Sequence, residues 1–411
     1  MTDTQTFSSS KSARLMTLRR KAAAAEMANP RKSGLAASPP AIVIEGTTLP
    51  AGQTSGYLLN TAAGQAVLRS YGGSPYLAGS LIGRVKSAVI GTSGGNIGAG
   101  DGSQASFSRR YFLADAAKVT LRLKRSALPY RFLVDNRYVD LAGTVTTAAS
   151  PTSTDEYVSL DFSSAGGRAL REIGVEAQGD NSAWGVYVGA TETVREPAAA
   201  DDLVSCLLGD SYVHGTGTTA LGDGFGAVMA DWLGIRAHSN SGSGGTGWVS
   251  NAGGGVYTFD QRIENGDLEL AGMPGLIVLM GSYNDRNQLA ETITSHALAG
   301  LVAARTRYPD ALIAVLGVFP ASSGPSAAII AAENAVAAAV TQFGDAWTRF
   351  IPISTRASGN LITGTGRSGT ASGTGNSDLY TGIDQVHPTP AGHAFIGRFV
   401  AQAILSAFSA D

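Results

Sequence analysis

The amino-acid sequence predicts an α/β protein in which an all-β sandwich precedes a domain with a parallel sheet. The chain has 411 residues, enough for two domains that each bury a core. Between residues 41 and 197, short β-type runs alternate with Gly, Ser, Asn and Asp, which is typical of sandwiches and barrels. From residue 198 to 411, strand-type and helix-type segments alternate, which indicates a parallel sheet covered by helices on both faces.

Residues 1–40 are interpreted as an N-terminal arm or linker. They are rich in Ser, Lys, Arg and Ala, include a short helical stretch over 13–27, and end at Ser38-Pro39-Pro40. The basic residues are not followed by the apolar segment of a secretory signal, and no stretch of the chain is long and apolar enough to span a bilayer. Membrane insertion is therefore not expected. The location stays open between the cytoplasm and an extracellular or phage-virion setting.

The sandwich, residues 41–197, is predicted from nine β-type runs. Several of them alternate apolar and polar residues, as expected for antiparallel sheets with one wet face. The runs are 41–44, 57–59, 66–71, 85–90, 118–123, 130–134, 157–162, 172–177 and 185–188. Residues 91–95, Gly-Thr-Ser-Gly-Gly, match a nucleophile-elbow pattern, but the glycine-rich stretch that follows predicts a loop where an elbow requires a helix. A linker is expected over 191–200.

The second domain, residues 198–411, is predicted to contain five strands and four helices. The strands are expected at 203–208, 235–239, 275–280, 311–318 and 349–353, and the helices at 220–233, 286–307, 325–342 and 390–408. The last helix is the best marked, because Thr389 can cap it and Pro390 suits its first position.

Composition excludes several classes of function. The net charge is −2, and no basic run suggests nucleic acid as a partner. The single cysteine, Cys206, lies inside a predicted strand and is expected to be a buried apolar residue; it rules out an intramolecular disulfide and a cysteine-based zinc site. No metal or other cofactor is expected.

Four polar blocks lie where strands of the second domain are expected to end, which is where open α/β sheets bind ligands. They are Gly209-Asp210-Ser211, residues 240–247 (Asn-Ser-Gly-Ser-Gly-Gly-Thr-Gly), residues 281–285 (Gly-Ser-Tyr-Asn-Asp), and residues 384–388 (Asp-Gln-Val-His-Pro).

These blocks contain the residue types that acyl transfer through serine requires: a nucleophile, a base, a carboxylate that orients the base, and donors for an oxyanion. Ser211 is the candidate nucleophile, His387 the base and Asp384 its carboxylate. The backbone amides of Ser211 and Gly245, with the side-chain amide of Asn284, are the candidate oxyanion donors.

Each block alone has a simpler interpretation. Asp-Ser after a strand and Asn-Asp before a helix are common helix caps, and a histidine at a helix start can be structural. Residues 242–247 also fit the dinucleotide pattern G-x-G-x-x-G, but Trp248 and further glycines follow them where a helix would be needed. Asp210 and Asp285 are expected to brace loops, since His387 already has a carboxylate.

Taken together, the four blocks resemble those of the SGNH hydrolases, the GDSL-type lipases and esterases, in the same order over about 200 residues. The resemblance implies a flavodoxin-like three-layer α/β/α fold, a Ser-His-Asp triad and an oxyanion hole from Ser, Gly and Asn. Two departures stand out. The third block either is one residue longer than the family pattern, as Gly-x-x-Asn-Asp, or has Ser282 in the position of the family glycine. The second block offers Gly244 as well as Gly245 as the amide donor.

Carbohydrate esterases of this group often carry a β-sandwich or jelly-roll domain, so the resemblance implies an acetylated polysaccharide or oligosaccharide as substrate. Aromatic residues near the blocks could pack on sugar rings or, equally, under the loops: Tyr212, Trp248, Tyr283 and Tyr380. The Gly/Ser/Thr-rich segment 354–382 before Asp384 is expected to be a long loop. Alternatives are a lipase or thioesterase acting on lipid acyl esters, and a glycan-binding phage tail-surface protein. The oligomeric state is left open.

Overall fold

The computed structural model describes residues 4–28, 35–72, 107–126, 128–144, 146, 155–178, 183–197, 203–253, 256–320 and 324–409. These residues divide into two compact units, one formed by the described residues between 24 and 197, the other by residues 4–23 and 203–409. The predicted strand 85–90 and the elbow-like residues 91–95 lie outside the described residues.

The β-rich unit contains two antiparallel sheets. Its elements are β1 (Ala41–Gly46), β2 (Gln53–Leu58), α2 (Ala62–Val67), β3 (Arg69–Tyr71), β4 (Phe107–Ala116), β5 (Lys118–Lys124), β6 (Arg131–Val134), β7 (Arg137–Tyr138), β8 (Asp155–Asp161), β9 (Ala169–Gln178), β10 (Ala183–Gly189) and β11 (Thr193–Arg195). One sheet has the order β1-β8-β5-β10-β2. The other has the order β11-β4-β9-β6-β7, with β3 also paired to β4. Apolar residues from both sheets form one buried cluster, as in a sandwich.

Two local predictions in this unit need correction, and one strand was missed. The predicted strand 66–71 is a helix end, α2, followed by the short strand β3, because the Thr61 hydroxyl accepts a hydrogen bond from Gly64 N and caps a helix. The predicted linker 191–200 contains β11. The ten-residue strand β4 was not predicted, since Arg109 and Arg110 interrupt its apolar residues; both are buried, and Arg109 pairs with Glu176 at 2.8 Å.

The second unit contains a five-stranded parallel sheet: β12 (Ser205–Gly209), β13 (His238–Gly242), β14 (Leu276–Gly281), β15 (Leu312–Val318) and β16 (Thr348–Ile351). The strand order is β13-β12-β14-β15-β16, which is the flavodoxin-like order. The helices are α1 (Thr4–Ala28), α3 (Ser211–His214), α4 (Phe225–Trp232), α5 (Phe259–Glu264), α6 (Ala290–Arg307), α7 (Ala327–Phe343), α8 (Ser377–Tyr380) and α9 (Pro390–Ala407).

Helices cover both faces of this sheet, so the predicted three-layer α/β/α fold is confirmed. On one face, α4 and α9 pack on alternate strand residues such as Leu207 and Val278. On the other face, α5, α6 and α7 pack on the intervening residues, which include Cys206 and Ile277. Cys206 is a buried free thiol, as expected.

Residues 1–40 were expected to form an arm or linker with a short helix, but α1 begins at Thr4 and spans 25 residues. Its side chains Leu15, Leu18 and Ala22 belong to the apolar cluster that contains α4 and α9. The Arg19 guanidinium donates a hydrogen bond of 2.7 Å to the carbonyl of Phe408, near the end of α9. Among the described residues, no helix is long and apolar enough to cross a bilayer.

Candidate active site

Ser211 is placed by the abrupt end of β12. Gly209 closes the strand at a position where a Cβ would lie 2.4 Å from Val213 Cγ2, so no larger residue fits. Asp210 then caps α3, because its carboxylate accepts a hydrogen bond of 3.0 Å from Tyr212 N. The Ser211 hydroxyl is thus presented at the carboxyl edge of the sheet, at the first residue of a helical turn.

A tight turn places the histidine. Gln385 has φ of 65°, in the left-handed region. This lets Asp384 Oδ1 accept hydrogen bonds from Val386 N at 3.0 Å and His387 N at 2.9 Å. The other carboxylate oxygen lies 2.5 Å from His387 Nδ1. The carboxylate therefore fixes both the backbone and the ring of the histidine.

The structure brings the serine and the histidine into contact. His387 Nε2 lies 2.7 Å from Ser211 Oγ, which completes a continuous chain from Asp384 through the imidazole to the hydroxyl. Burial raises the pKa of Asp384, but hydrogen bonds from His387 and from backbone amides outweigh it, so this pKa lies below its ordinary value. The group beside the imidazole is accordingly a carboxylate at neutral pH.

The glycine block lies beside Ser211. A Cβ on Gly244 would lie 3.7 Å from Ser211 Cβ, in ordinary contact. Gly245 has φ of 74°, which favours glycine at that position. Gly244 therefore lies next to the serine.

Asn284 lies in a 3-10 turn, Tyr283–Asp285, directly after β14. Its side-chain Nδ2 donates a hydrogen bond of 2.9 Å to the Thr246 carbonyl and lies 3.5 Å from Asp210 Oδ2. The side chain is half-buried. The block after β14 is thereby linked to the glycine block and to the residue that precedes Ser211.

Asp285 braces the loop that follows the glycine block, in line with the loop-bracing role expected from the sequence. Its carboxylate accepts hydrogen bonds from the backbone amides of Trp248 (2.6 Å), Val249 (3.3 Å) and Ser250 (2.8 Å). Burial raises the pKa of Asp285 despite these hydrogen bonds. Gly247 makes room for it, because a Cβ there would lie 2.4 Å from the carboxylate oxygens.

Asp210 is also buried. Burial raises the pKa of Asp210 to about 6, although a hydrogen bond from Tyr212 N lowers it. Its role is structural in this arrangement, as expected, since Asp384 is the carboxylate in contact with His387.

Two of the predicted substrate-binding aromatics are placed in the core, which corrects the prediction for them. Trp248 is fully buried, with its ring edge-on to Phe259 at 5.4 Å. Tyr212 is also buried; its ring lies 5.7 Å from the His387 ring, and its hydroxyl donates to the Val386 carbonyl. Rings in these loops pack beneath the site, where apolar area is removed from water.

The other two aromatics are half-buried. The Arg286 guanidinium lies 4.0 Å from the centre of the Tyr283 ring. The Tyr380 ring stacks on Phe395 at 4.4 Å. Both rings retain an accessible part, so a contact with substrate stays a prediction for Tyr283 and Tyr380.

One set of residues that braces the site was missed by the sequence reasoning. Arg262, fully buried on α5, donates to the Gly209 carbonyl at 3.1 Å and to the Ser241 carbonyl at 2.7 Å, and pairs with Asp267 at 2.8 Å. It thereby ties the ends of β12 and β13 together. The helix that carries it is six residues long and gives no clear periodic signal. Within the described ranges, no group of three His, Cys, Asp or Glu side chains could hold a metal ion.

A parallel α/β/α sheet with Ser, His and Asp in contact at its carboxyl edge is the architecture of SGNH-type hydrolases. Residues 207–395 match the model of the GDSL-like Lipase/Acylhydrolase family. The α/β domain of this chain belongs to that family. Comparison with curated proteins by sequence found no match.

Several solved structures share the fold. A family two carbohydrate esterase from Cellvibrio japonicus is 11% identical with a TM-score of 0.57, over 86% of this chain and 98% of that chain. A salicylyl-acyltransferase from a tetracycline biosynthetic pathway is 13% identical with a TM-score of 0.61, over 88% and 99%. An acetyl xylan esterase from the rumen bacterium Butyrivibrio proteoclasticus is 11% identical with a TM-score of 0.54, over 86% and 98%. At these identities the likeness establishes the fold.

Proposed function

We propose that this protein is a serine esterase that removes O-acetyl groups from a polysaccharide or oligosaccharide. The observation that carries the proposal is the contact chain Asp384 Oδ2 to His387 Nδ1 at 2.5 Å and His387 Nε2 to Ser211 Oγ at 2.7 Å. The carbohydrate substrate is supported by the names of two proteins that share the fold, a family two carbohydrate esterase and an acetyl xylan esterase.

In the proposed reaction, His387 Nε2 takes the proton of Ser211 Oγ as this oxygen attacks the acetyl carbonyl carbon. Asp384 holds the Nδ1–H and stabilises the imidazolium. The oxyanion accepts hydrogen bonds from Ser211 N, Gly245 N and Asn284 Nδ2. His387 then protonates the departing sugar oxygen, and water attacks the acetyl-enzyme by the same route to release acetate. No cofactor is needed.

The test is acetate release from acetylated xylan, mannan, pectin and bacterial exopolysaccharides, with p-nitrophenyl acetate as a general ester substrate. The Ser211→Ala variant should lose at least about 10³-fold in kcat/KM while keeping the fold. A matched control is Ser159→Ala, which removes the buried hydroxyl that bonds Thr120 Oγ1 at 2.8 Å in the β-rich unit; its activity should be unchanged.

Other outcomes would redirect the proposal. Full activity in Ser211→Ala would remove the mechanism. Cleavage of long-chain esters without acetate release from any polysaccharide would favour a lipase or thioesterase. Glycan binding without acetate release would favour a binding protein. Since a salicylyl-acyltransferase shares the fold, free acetate should be measured directly, so that hydrolysis is distinguished from transfer to an alcohol.

A further inference from the structure

Ser282 lies at the junction of three loops of the candidate site. It follows β14 and is 1% exposed. Its hydroxyl lies 2.7 Å from the Thr246 carbonyl and 3.0 Å from Asp210 Oδ2, and it accepts a hydrogen bond of 3.1 Å from Asn284 N. One hydroxyl therefore contacts the loop before Ser211, the glycine block and the turn that carries Asn284.

The Thr246 carbonyl connects Ser282 to the side chain of Asn284. This carbonyl also accepts the hydrogen bond of 2.9 Å from Asn284 Nδ2. A carbonyl oxygen has two lone pairs, so it can accept from both Ser282 and Asn284. The Ser282 hydroxyl has one proton, and the Thr246 carbonyl, at 2.7 Å, is a nearer acceptor than Asp210 Oδ2, at 3.0 Å. The Ser282 hydroxyl thus holds the backbone of Asn284 directly and holds the acceptor of its side chain at the same time.

An amide nitrogen carries two N–H groups, and Thr246 engages one of them. The contact of Nδ2 with Asp210 Oδ2, at 3.5 Å, is at the limit of a hydrogen bond. With one N–H anchored, the direction of the second N–H is fixed. A donor that is oriented before reaction contributes most to stabilising the transition state.

We propose that Ser282 is a positioning residue for the oxyanion hole, acting through Thr246 and Asn284. The inference rests on the proposed function, in which Asn284 donates to the oxyanion. Ser282 never contacts the substrate. Its effect is to fix the orientation of the Asn284 amide, since a glycine at position 282 would leave both the Thr246 carbonyl and Asn284 N without this partner.

The test is a double-mutant cycle on p-nitrophenyl acetate. Loss of an oxyanion donor costs about 10²–10³ in kcat, so Asn284→Ala should fall in that range. Ser282→Ala should lower kcat by about tenfold, with KM within about twofold, because positioning affects the transition state more than substrate binding. In the Asn284→Ala background, the same serine change should lower kcat by no more than about twofold.

A merely structural serine would behave differently, since its loss would lower stability and kcat by the same factor in both backgrounds. Equal effects in both backgrounds, or an unchanged kcat in Ser282→Ala, would overturn the inference. Ser282→Gly provides a second variant should the alanine protein fail to fold, and Ser159→Ala controls for loss of a buried serine hydroxyl elsewhere. Failure of the proposed function shows separately, as full activity in Ser211→Ala.

Discussion

At the scale of single residues, Tyr212 connects the nucleophile turn to the histidine turn. It follows Ser211 in sequence, its ring stacks on Phe319 at 5.5 Å, and its hydroxyl donates to the Val386 carbonyl. Val386 directly precedes His387. Burial raises the pKa of Tyr212 well above its ordinary value, so the phenol remains a donor throughout the pH range of an assay.

Tyr212→Phe should lower kcat by about tenfold and leave KM within about twofold. The substitution keeps the ring but removes the hydrogen bond to the Val386 carbonyl. A tenfold loss in kcat corresponds to about 1.4 kcal/mol, the size of one hydrogen bond. Steady-state kinetics on p-nitrophenyl acetate measure the effect. Tyr308→Phe is the matched control. Tyr308 directly follows α6, is equally buried, and donates its hydroxyl to Glu269 at 3.1 Å, outside the site. Equal kcat values for the two variants would contradict a role for Tyr212 in placing His387.

The sequence predicted the polar residues of the site better than the aromatic ones. Ser211, Asp384 and His387 stand in short blocks whose residue types already suggest their chemistry, and the structure brings them into hydrogen-bond contact. Whether an aromatic ring faces a sugar or the core depends on neighbours distant in sequence. The burial of Trp248 against Phe259 could not be deduced from the residues around it.

At the scale of elements, Glu333 on α7 joins the ends of two strands. Its fully buried carboxylate accepts hydrogen bonds from the backbone amides of Val318 (2.8 Å), Ile353 (3.1 Å), Ser354 (2.8 Å) and Thr355 (2.8 Å). The Val318 amide lies at the end of β15, and the other three amides follow β16, at the start of the long segment that leads to Asp384. One carboxylate thus accepts hydrogen bonds from four backbone donors.

Glu333→Gln should lower the free energy of unfolding by about 2–4 kcal/mol. The glutamine NH₂ group is a donor, so it would replace one acceptor oxygen and face backbone N–H groups that are donors too. Urea denaturation followed by tryptophan fluorescence measures this change. The control is Glu269→Gln, which removes the exposed pair with Arg307 and should cost less than about 1 kcal/mol. Similar losses in the two variants would mean that the buried carboxylate has no special part in stability.

The long elements of the α/β domain were predictable, and the short or polar ones were not. The helix predicted at 325–342 is Ala327–Phe343, and that predicted at 390–408 is Pro390–Ala407. The strand predicted at 235–239 is instead His238–Gly242. It is buried although polar, because its His238 ring bonds Ser205 Oγ and Asn240 Oδ1 at 2.8 Å each, and such mutual satisfaction leaves no apolar signal in the sequence.

At the scale of the whole molecule, the pattern of strand-type and helix-type segments predicted a sandwich followed by an α/β domain. It did not predict which of the two units contains residues 4–23. These residues belong to the same unit as 203–409, since Leu15 and Leu18 complete an apolar cluster made mostly of residues far away in sequence. The helical stretch itself was visible in composition. Its packing partners were not, because no local pattern encodes a contact across hundreds of residues.

The stability of the α/β unit should depend on the protonation of His393 on α9. Its Nδ1 accepts a hydrogen bond of 3.2 Å from Phe225 N, and its Nε2 donates one of 2.9 Å to the Thr216 carbonyl, which requires a neutral ring. Burial lowers the pKa of His393 to about 4. In the unfolded chain this histidine has a pKa of about 6.5 and binds the proton more tightly. The free energy of unfolding therefore falls as pH decreases from about 6.5 to 4, by up to about 3 kcal/mol.

Asp210 acts in the opposite direction. Burial raises its pKa to about 6, so the folded state binds this proton more tightly than the unfolded chain does. The contribution of Asp210 to the free energy of unfolding therefore rises as pH falls towards about 4. The two contributions separate when wild type is compared with His393→Gln, whose amide keeps one acceptor and one donor but does not titrate. Fluorescence is suitable, because Trp232, Trp248 and Trp347 lie in this unit and the fourth tryptophan lies at position 184. The stability advantage of wild type over the glutamine variant should shrink as pH decreases from about 6.5 to 4. An advantage that stays constant across this window would show that His393 does not titrate differently in the folded and unfolded states.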